Sequence, residues 1–372
     1  MKIAIHASDL DHQRIDGTRV YLANMLKNFG LLDKKDSFVI YHQNDFNPHL
    51  APPILPNYDI KKLPFPSLWT QTRFAWQLFW DKPDVLWMPV HNVPMFRRKN
   101  LKIVVTIHDL AFKIFPQYFT KKDLEKLNRL SDMAIKSADR IIAISNSTKN
   151  DILKFFPQIP LEKITVVHHG FDAQLFLKKV ESGQSEKVLS KFKIKDSKFV
   201  LYVGAIQPRK NLEVLIDAFE KLKIDNKDLK LVFAGAPAWK HEAVLEKIEN
   251  SPHKNDIIIT GTLAFEELPA LYQNACAFVF PSLYEGFGIP ILEAFASDTP
   301  VVVADNSSLL EVAGEAALHF QTGDAADLEK CLRQILNDAG LRENLVKKGR
   351  DKAQNFSWEK CAQLTLDVIT KM

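Results

Sequence analysis

The sequence predicts an α/β protein built on parallel sheets, and three observations carry that reading. Short apolar runs of strand length alternate with longer stretches of helical periodicity throughout the chain. Glycines are scarce, 13 in 372 residues, and Gly204, Gly235, Gly261, Gly286 and Gly288 each follow an apolar run closely. A weakly apolar, Lys- and Ser-rich stretch at 176–197 interrupts the alternation near the middle. A chain of this length is due a domain boundary there.

In the first half the strand-like runs are 2–6, 38–41, 85–88, 103–107, 140–144 and 164–167, with helical patterns at 20–29, 121–136 and 148–155. In the second half strands fall at 199–203, 229–234, 257–259, 276–280 and 300–303. Helices fall near 212–222, 242–248, 265–272, 291–296, 325–337 and 341–356. The run 275–280 in particular reads as a buried parallel strand. Two Rossmann-like halves follow, with ligands expected beyond the strand ends at a topological switch point. Ser357 is a good N-cap for a last helix.

Composition sets the bounds. Hydrophobic content of 46% and charged content of 25% are ordinary for a globular protein. The three cysteines, Cys276, Cys331 and Cys361, lack metal-ligand spacing and form an odd, sparse set, which points to a reducing compartment. The first residues read as a strand rather than a signal peptide, and no apolar run approaches membrane-spanning length. The expectation is a cytoplasmic protein.

The net charge of +4 is uneven: residues 1–180 hold 26 Lys/Arg against 17 Asp/Glu, and residues 181–372 hold 23 against 28. The basic half invites an anionic partner. Aromatics run among its cations (Phe65, Trp69, Arg73, Phe74, Trp76, Phe79, Trp80, then Arg97, Arg98 and Lys99), which suits an anionic bilayer surface at the inner face of a membrane. The same stretch also reads as an amphipathic helix packing inward. No nucleic-acid motif accompanies it, and no nucleic-acid partner is expected.

The densest chemistry lies at 281–296, PSLYEGFGIPILEAFA, after the apolar run 275–280. In one regular helix Glu285 and Glu293 would stand about 12 Å apart along the axis. Gly286, Gly288 and Pro290 break such a helix, since glycine suits turns and proline the first helical turn. Glu285 is therefore expected on a loop curling over a helix that carries Glu293. Strand, glycine loop and helix start together offer backbone N–H groups to an anion, and two carboxylates to sugar hydroxyls. Pro208-Arg209-Lys210-Asn211 opens a helix after the strand ending near Gly204, a place for a guanidinium and an ammonium beside a diphosphate.

These motifs resemble those of the retaining glycosyltransferases of the GT-B fold, the family four type. The resemblance rests on the glutamate pair in EGFGIPILEA, on 202–211 (YVGAIQPRKN), 106–109 (TIHD), 144–147 (ISNS) and 356–359 (FSWE), and covers nearly the whole chain. It implies two Rossmann-like domains facing a central cleft. Residues 1–175 would form the acceptor-binding domain, 176–197 the hinge and 198–356 the nucleotide-sugar domain. Residues 357–372 would form a helix crossing back to the first domain.

The implied reaction moves a hexose, with retention, from a nucleotide-diphosphate sugar to a glycan or lipid-linked acceptor in cell-surface polysaccharide or lipopolysaccharide assembly. Arg209 and Lys210 would offset charge on the leaving diphosphate. Glu285 would bind the transferred sugar, and His108 would contact it. Glu293 would accept the ribose hydroxyls, and Gly286, Phe287, Gly288 and Ile289 would present N–H groups. Gly17, in 16–19 (DGTR), resembles the first-domain glycine loop near the diphosphate, and Gly204 and Gly261 are further donor-binding candidates. Glu285 as the nucleophile of a double displacement stays open beside front-face transfer. No cofactor and no divalent metal is expected; Asp9 and Asp11 have a metal-pair spacing, but in the wrong place in the fold. A GT-B phosphorylase, a nucleotide-sugar epimerase and a non-catalytic sugar-nucleotide binding protein are the alternatives.

Overall fold

A computed structural model describes all 372 residues, which divide into two compact units: 1–170 with 357–372, and 171–356. In the first unit seven strands form one sheet: β1 (Lys2–His6), β2 (Ser37–His42), β3 (Tyr58–Lys62), β4 (Val85–Met88), β5 (Lys102–Ile107), β6 (Arg140–Ala143) and β7 (Ile164–Val166). Their order is β3-β2-β1-β4-β5-β6-β7, all parallel, in registers such as Ile5 beside Ile40 and Trp87. Central strands are buried on both faces, which is why Ile3 to Ile5 and Leu86 to Met88 are solvent-free. The order reverses between β1 and β4, and the side chains following those strands mark the switch point.

The first long helix, Gly17–Leu32, starts at the N-cap Asp16, whose carboxylate accepts from the Arg19 N–H. The last helix, Trp358–Thr370, belongs to this unit although 186 residues of the other unit precede it in sequence. Ser357 caps it, its hydroxyl accepting the Lys360 N–H at 3.1 Å, and it packs along the first helix. Gly170 is required where it docks: a Cβ there would lie 2.1 Å from the Trp358 nitrogen.

The second unit repeats the plan with six parallel strands: β8 (Phe199–Val203), β9 (Lys230–Ala234), β10 (Ile257–Ile259), β11 (Ala277–Phe280), β12 (Val301–Ala304) and β13 (Leu318–Phe320). The order β10-β9-β8-β11-β12-β13 places its switch point between β8 and β11. Residues 171–197 group with this unit, and the stretch expected as a hinge carries a helix, Ser182–Lys191, of which Val188 and Leu189 are buried. Gly235 closes β9 where it meets the end of β8, and a Cβ on it would stand 2.1 Å from the Gly204 carbonyl oxygen.

Candidate functional site

The switch point of the second unit gathers Arg209, Lys210 and Glu285. The chain leaves β8, passes Gly204, and makes a short helical turn at Pro208–Lys210. It then turns through the left-handed Asn211 into helix Leu212–Lys223. Asn211 donates to the Pro281 carbonyl at 3.2 Å and Leu283 donates to the Arg209 carbonyl at 2.9 Å, so the loops after β8 and β11 are laced together. Glu285 sits on the second loop and Glu293 on helix Ile289–Ala296, which Gly288 starts at φ +119° with Pro290 in its first turn.

Glu285 is nearly inaccessible and doubly paired: Arg209 lies 3.0 Å from its Oε2, and the Lys210 ammonium donates to its Oε1 at 2.5 Å. Arg209 also donates to the Tyr284 carbonyl, and the Lys210 ammonium lies 5.0 Å from the centre of the Phe280 ring. Burial alone would raise the pKa of Glu285, but the two cations outweigh it and hold the carboxyl at about 2. The group is a carboxylate at neutral pH.

The loop is held from behind by a serine pair that sequence reasoning missed. Ser307 accepts the Glu285 N–H at 3.0 Å, and Ser308 donates to the carbonyls of Glu285 at 2.8 Å and Phe287 at 2.7 Å. The asparagine and two serines at 306–308 open helix Ser307–Ala313, a pattern of helix-start residues that could have pointed there. Phe287 is buried and meets the Phe356 ring at 5.9 Å.

Glu293 has a separate environment. It is buried and accepts a hydrogen bond from the Tyr272 hydroxyl at 2.9 Å. Burial raises its pKa to about 7, the Tyr272 bond pulling down and the Asp172 charge pushing further up. Two glutamates eight positions apart thus differ by about five pKa units, because one has cations beside it and the other has a phenol. Tyr272, on helix Leu268–Asn274, gave no sequence signal beyond an apolar helix face.

Gly204 and Gly261 lie after β8 and β10 at φ +145° and +70°, in the same unit as the glutamates. Gly17 and His108 belong to the first unit. Gly17 is exposed at the first position of its helix, with open space where a Cβ would stand. His108 follows β5 and donates from Nε2 to the Pro89 carbonyl at 2.9 Å, and Thr148 donates to the His108 carbonyl at 3.2 Å. Burial holds its imidazole below the usual range, so it is neutral at pH 7. Tyr21 packs edge-on against it at 5.1 Å and stacks on His169 at 4.7 Å. Asp11 caps the loop after β2, accepting from the Gln43 and Asn44 N–H groups at 2.9 and 2.7 Å, and the Asp9 carbonyl takes the Arg19 side chain. No three His, Cys, Asp or Glu side chains are arranged to hold a metal ion.

Comparison with known proteins agrees with this architecture. The family model for glycosyl transferases group 1 matches residues 184–352, and that for glycosyltransferase family 4 matches residues 17–175. O-antigen chain mannosyltransferase B of Escherichia coli is 29% identical over 296 residues, covering 79% of this chain and 76% of that protein. The match to the longer serotype-specific mannosyltransferase WbdA of the same organism spans 30% of that protein. Among solved structures, Anabaena HepE in complex with UDP and glucose superposes over all of both chains with a TM-score of 0.76 at 16% identity. WaaG, a glycosyltransferase involved in lipopolysaccharide biosynthesis, covers 99% of each chain at 0.74 and 16%. With 17–175 and 184–352 matched in order and two parallel sheets of the required strand order, the chain belongs to the GT-B glycosyltransferases of the family four type.

Proposed function

We propose that this protein transfers a hexose, with retention, from a nucleotide-diphosphate sugar to a glycan or lipid-linked acceptor, in the assembly of a cell-surface polysaccharide or lipopolysaccharide. The observation that carries the reading is the cluster of Arg209, Lys210 and Glu285 where the strand order of the second sheet reverses. Ligands of doubly wound sheets bind at that point. Breaking the bond between the anomeric carbon and a diphosphate develops negative charge on the leaving group, which fixed cations stabilise without reorganising. Arg209 and Lys210 are fixed in this way by Glu285 and the Tyr284 carbonyl.

Glu285, ionised and braced by two cations, accepts hydroxyls of the transferred sugar. A carboxylate of such low basicity is a poor nucleophile and a poor base, which favours front-face transfer with the leaving phosphate oxygen taking the acceptor's proton. Glu293 accepts the ribose hydroxyls, and the N–H groups of 286–289 meet the diphosphate. The roles given to His108 and Gly17 rest on the family resemblance. The basic first unit takes the acceptor and touches an anionic membrane from its inner face; no helix in the chain is long and apolar enough to cross one. The names of the mannosyltransferase relatives support a polysaccharide product, and a mannose- or glucose-type hexose.

The test is a thermal-shift panel of UDP, GDP, ADP and their common sugars on wild type and Glu293→Ala. At about 100 times its dissociation constant the right ligand stabilises by roughly 2.7 kcal/mol. One responding nucleotide, lost in the variant, identifies the donor class. No response to any nucleoside diphosphate or its sugars sinks the proposal. The anomeric configuration of the product, read by NMR, tests retention.

A further inference from the structure

The first unit carries an aromatic face that its own core does not use. Helix Arg73–Asp81 buries Phe74, Ala75 and Leu78, with Phe74 stacked on Trp69 at 5.0 Å and edge-on to Tyr41 at 5.3 Å. The other face presents Trp76, Phe79 and Trp80, at the spacing of three and four that puts side chains on one side of a helix. Trp76 is 62% and Trp80 68% exposed, and the two rings lie 6.1 Å apart. The question left open by the sequence, inward packing or outward display, is answered residue by residue: both occur, on opposite faces.

A second segment runs beside this helix. Gln71 donates to the Val93 carbonyl and accepts the Met95 N–H, each at 2.8 Å, just before the helix begins. Arg98 donates to the Pro83 carbonyl at 2.5 Å, just after it ends. The loop between these ties holds Met95 and Phe96 in the open, 63% and 74% exposed. The sequence that carries these aromatics is basic: residues 61–102 contain eight Lys/Arg and two Asp/Glu. Lys61, Lys62 and Lys102 are paired with Asp81, Asp45 and Asp139, whereas Lys82 and Lys99 are exposed.

The geometry points to this face, Trp76, Phe79 and Trp80 with Met95 and Phe96, as the element that inserts into the headgroup layer of an anionic bilayer. The inference deepens the membrane contact proposed above and rests on it. Indole rings settle at the membrane–water boundary, and surrounding lysines and arginines are drawn to anionic lipid. A second copy of the chain fits worse, since a twofold contact would set the same excess of positive charge against itself.

The experiment is flotation of the full chain with vesicles of phosphatidylcholine alone and of phosphatidylcholine mixed with phosphatidylglycerol. Wild type floats only with the anionic vesicles, less so as salt rises. Trp76→Ser with Trp80→Ser lowers that binding about tenfold or more, and so does Met95→Ser with Phe96→Ser. Lys82→Glu with Lys99→Glu weakens it through charge alone. Three results overturn the inference: wild type that ignores anionic vesicles, aromatic variants that bind like wild type, or a wild-type dimer in sedimentation that Trp76→Ser with Trp80→Ser dissolves. Nucleotide-induced stabilisation is read on the same samples. Its absence beside intact vesicle binding would sink the donor-site reading and leave this one standing.

Discussion

Glu293 carries a pKa of about 7 because a buried carboxyl with one phenol donor is poorly compensated for the loss of water. The folded chain therefore holds a proton there that the unfolded chain releases near 4.5. Between those values the native state binds more protons, so stability falls as pH rises from about 4.5 to 7. Glu293→Gln should flatten that limb in thermal melts, by at most about 3 kcal/mol across the window. Nucleotide affinity should move the other way, strengthening as pH rises through 7 and the carboxylate forms. Tyr272→Phe removes a bond that favours the charged form, so the pH midpoint for nucleotide binding should climb above that of wild type. A midpoint unmoved by this change would mean Tyr272 does not tune Glu293.

At Glu285 the sign is opposite. Its pKa of about 2 lies below the ordinary value, so its contribution is present above about 4.5 and lost as pH falls toward 2. Glu285→Gln leaves Arg209 and Lys210 without their carboxylate, and breaking one side of a buried pair costs about 3–5 kcal/mol. An incoming diphosphate then meets both cations without competition from this carboxylate. The variant should bind nucleoside diphosphate at least as tightly as wild type, by titration calorimetry, while transfer falls by about 100-fold or more. Weaker nucleotide binding with unchanged transfer would remove Glu285 from the sugar and Arg209 and Lys210 from the diphosphate.

Among the elements, those that carry the site were the easiest to read. Central strands are buried on both faces, so β1, β4, β5, β8 and β11 stand out as apolar runs, within a residue of their observed bounds. The misses lie at sheet edges. β3 alternates charged and half-buried residues, and β13 is three residues long, because an edge strand needs little apolar surface. Helix Ser182–Lys191 buries only Val188 and Leu189, so its Lys- and Ser-rich sequence carries little apolar periodicity and resembles a linker. Loop and helix placement of the two glutamates was legible from Gly286, Gly288 and Pro290. The tyrosine behind them was not, since a contact across distant sequence leaves no local pattern, and the serines left only the helix-start pattern at 306–308.

Gly235→Ala drives a methyl into the Gly204 carbonyl, and backbone cannot swing aside as a side chain can. The ends of β8 and β9 must part, at a cost of about 2–4 kcal/mol. Denaturant melts should show that loss, whereas Gly261→Ser, with nothing within 4 Å, should lose only what its positive φ imposes.

On the scale of the whole molecule, the chain builds one strand order twice but closes the first unit only with its last residues. Trp358, Cys361, Ala362, Thr365, Leu366 and Ile369 are buried in that unit, with Trp358 5.6 Å from the His169 ring. Their burial contributes on the order of 10 kcal/mol as an upper estimate. A domain's entire stability is about 5–15 kcal/mol. A chain ending at Phe356 should therefore lose the first unit, not merely fray it. Calorimetry of that truncation should show a transition displaced to much lower temperature beside one near its original place. If the second unit binds the nucleotide, the surviving transition should still rise with the responding nucleoside diphosphate. A single unshifted transition would mean the helix adds little. Loss of both would mean that neither unit stands without the other, and that the sequence break at 170 and 357 does not divide the molecule energetically.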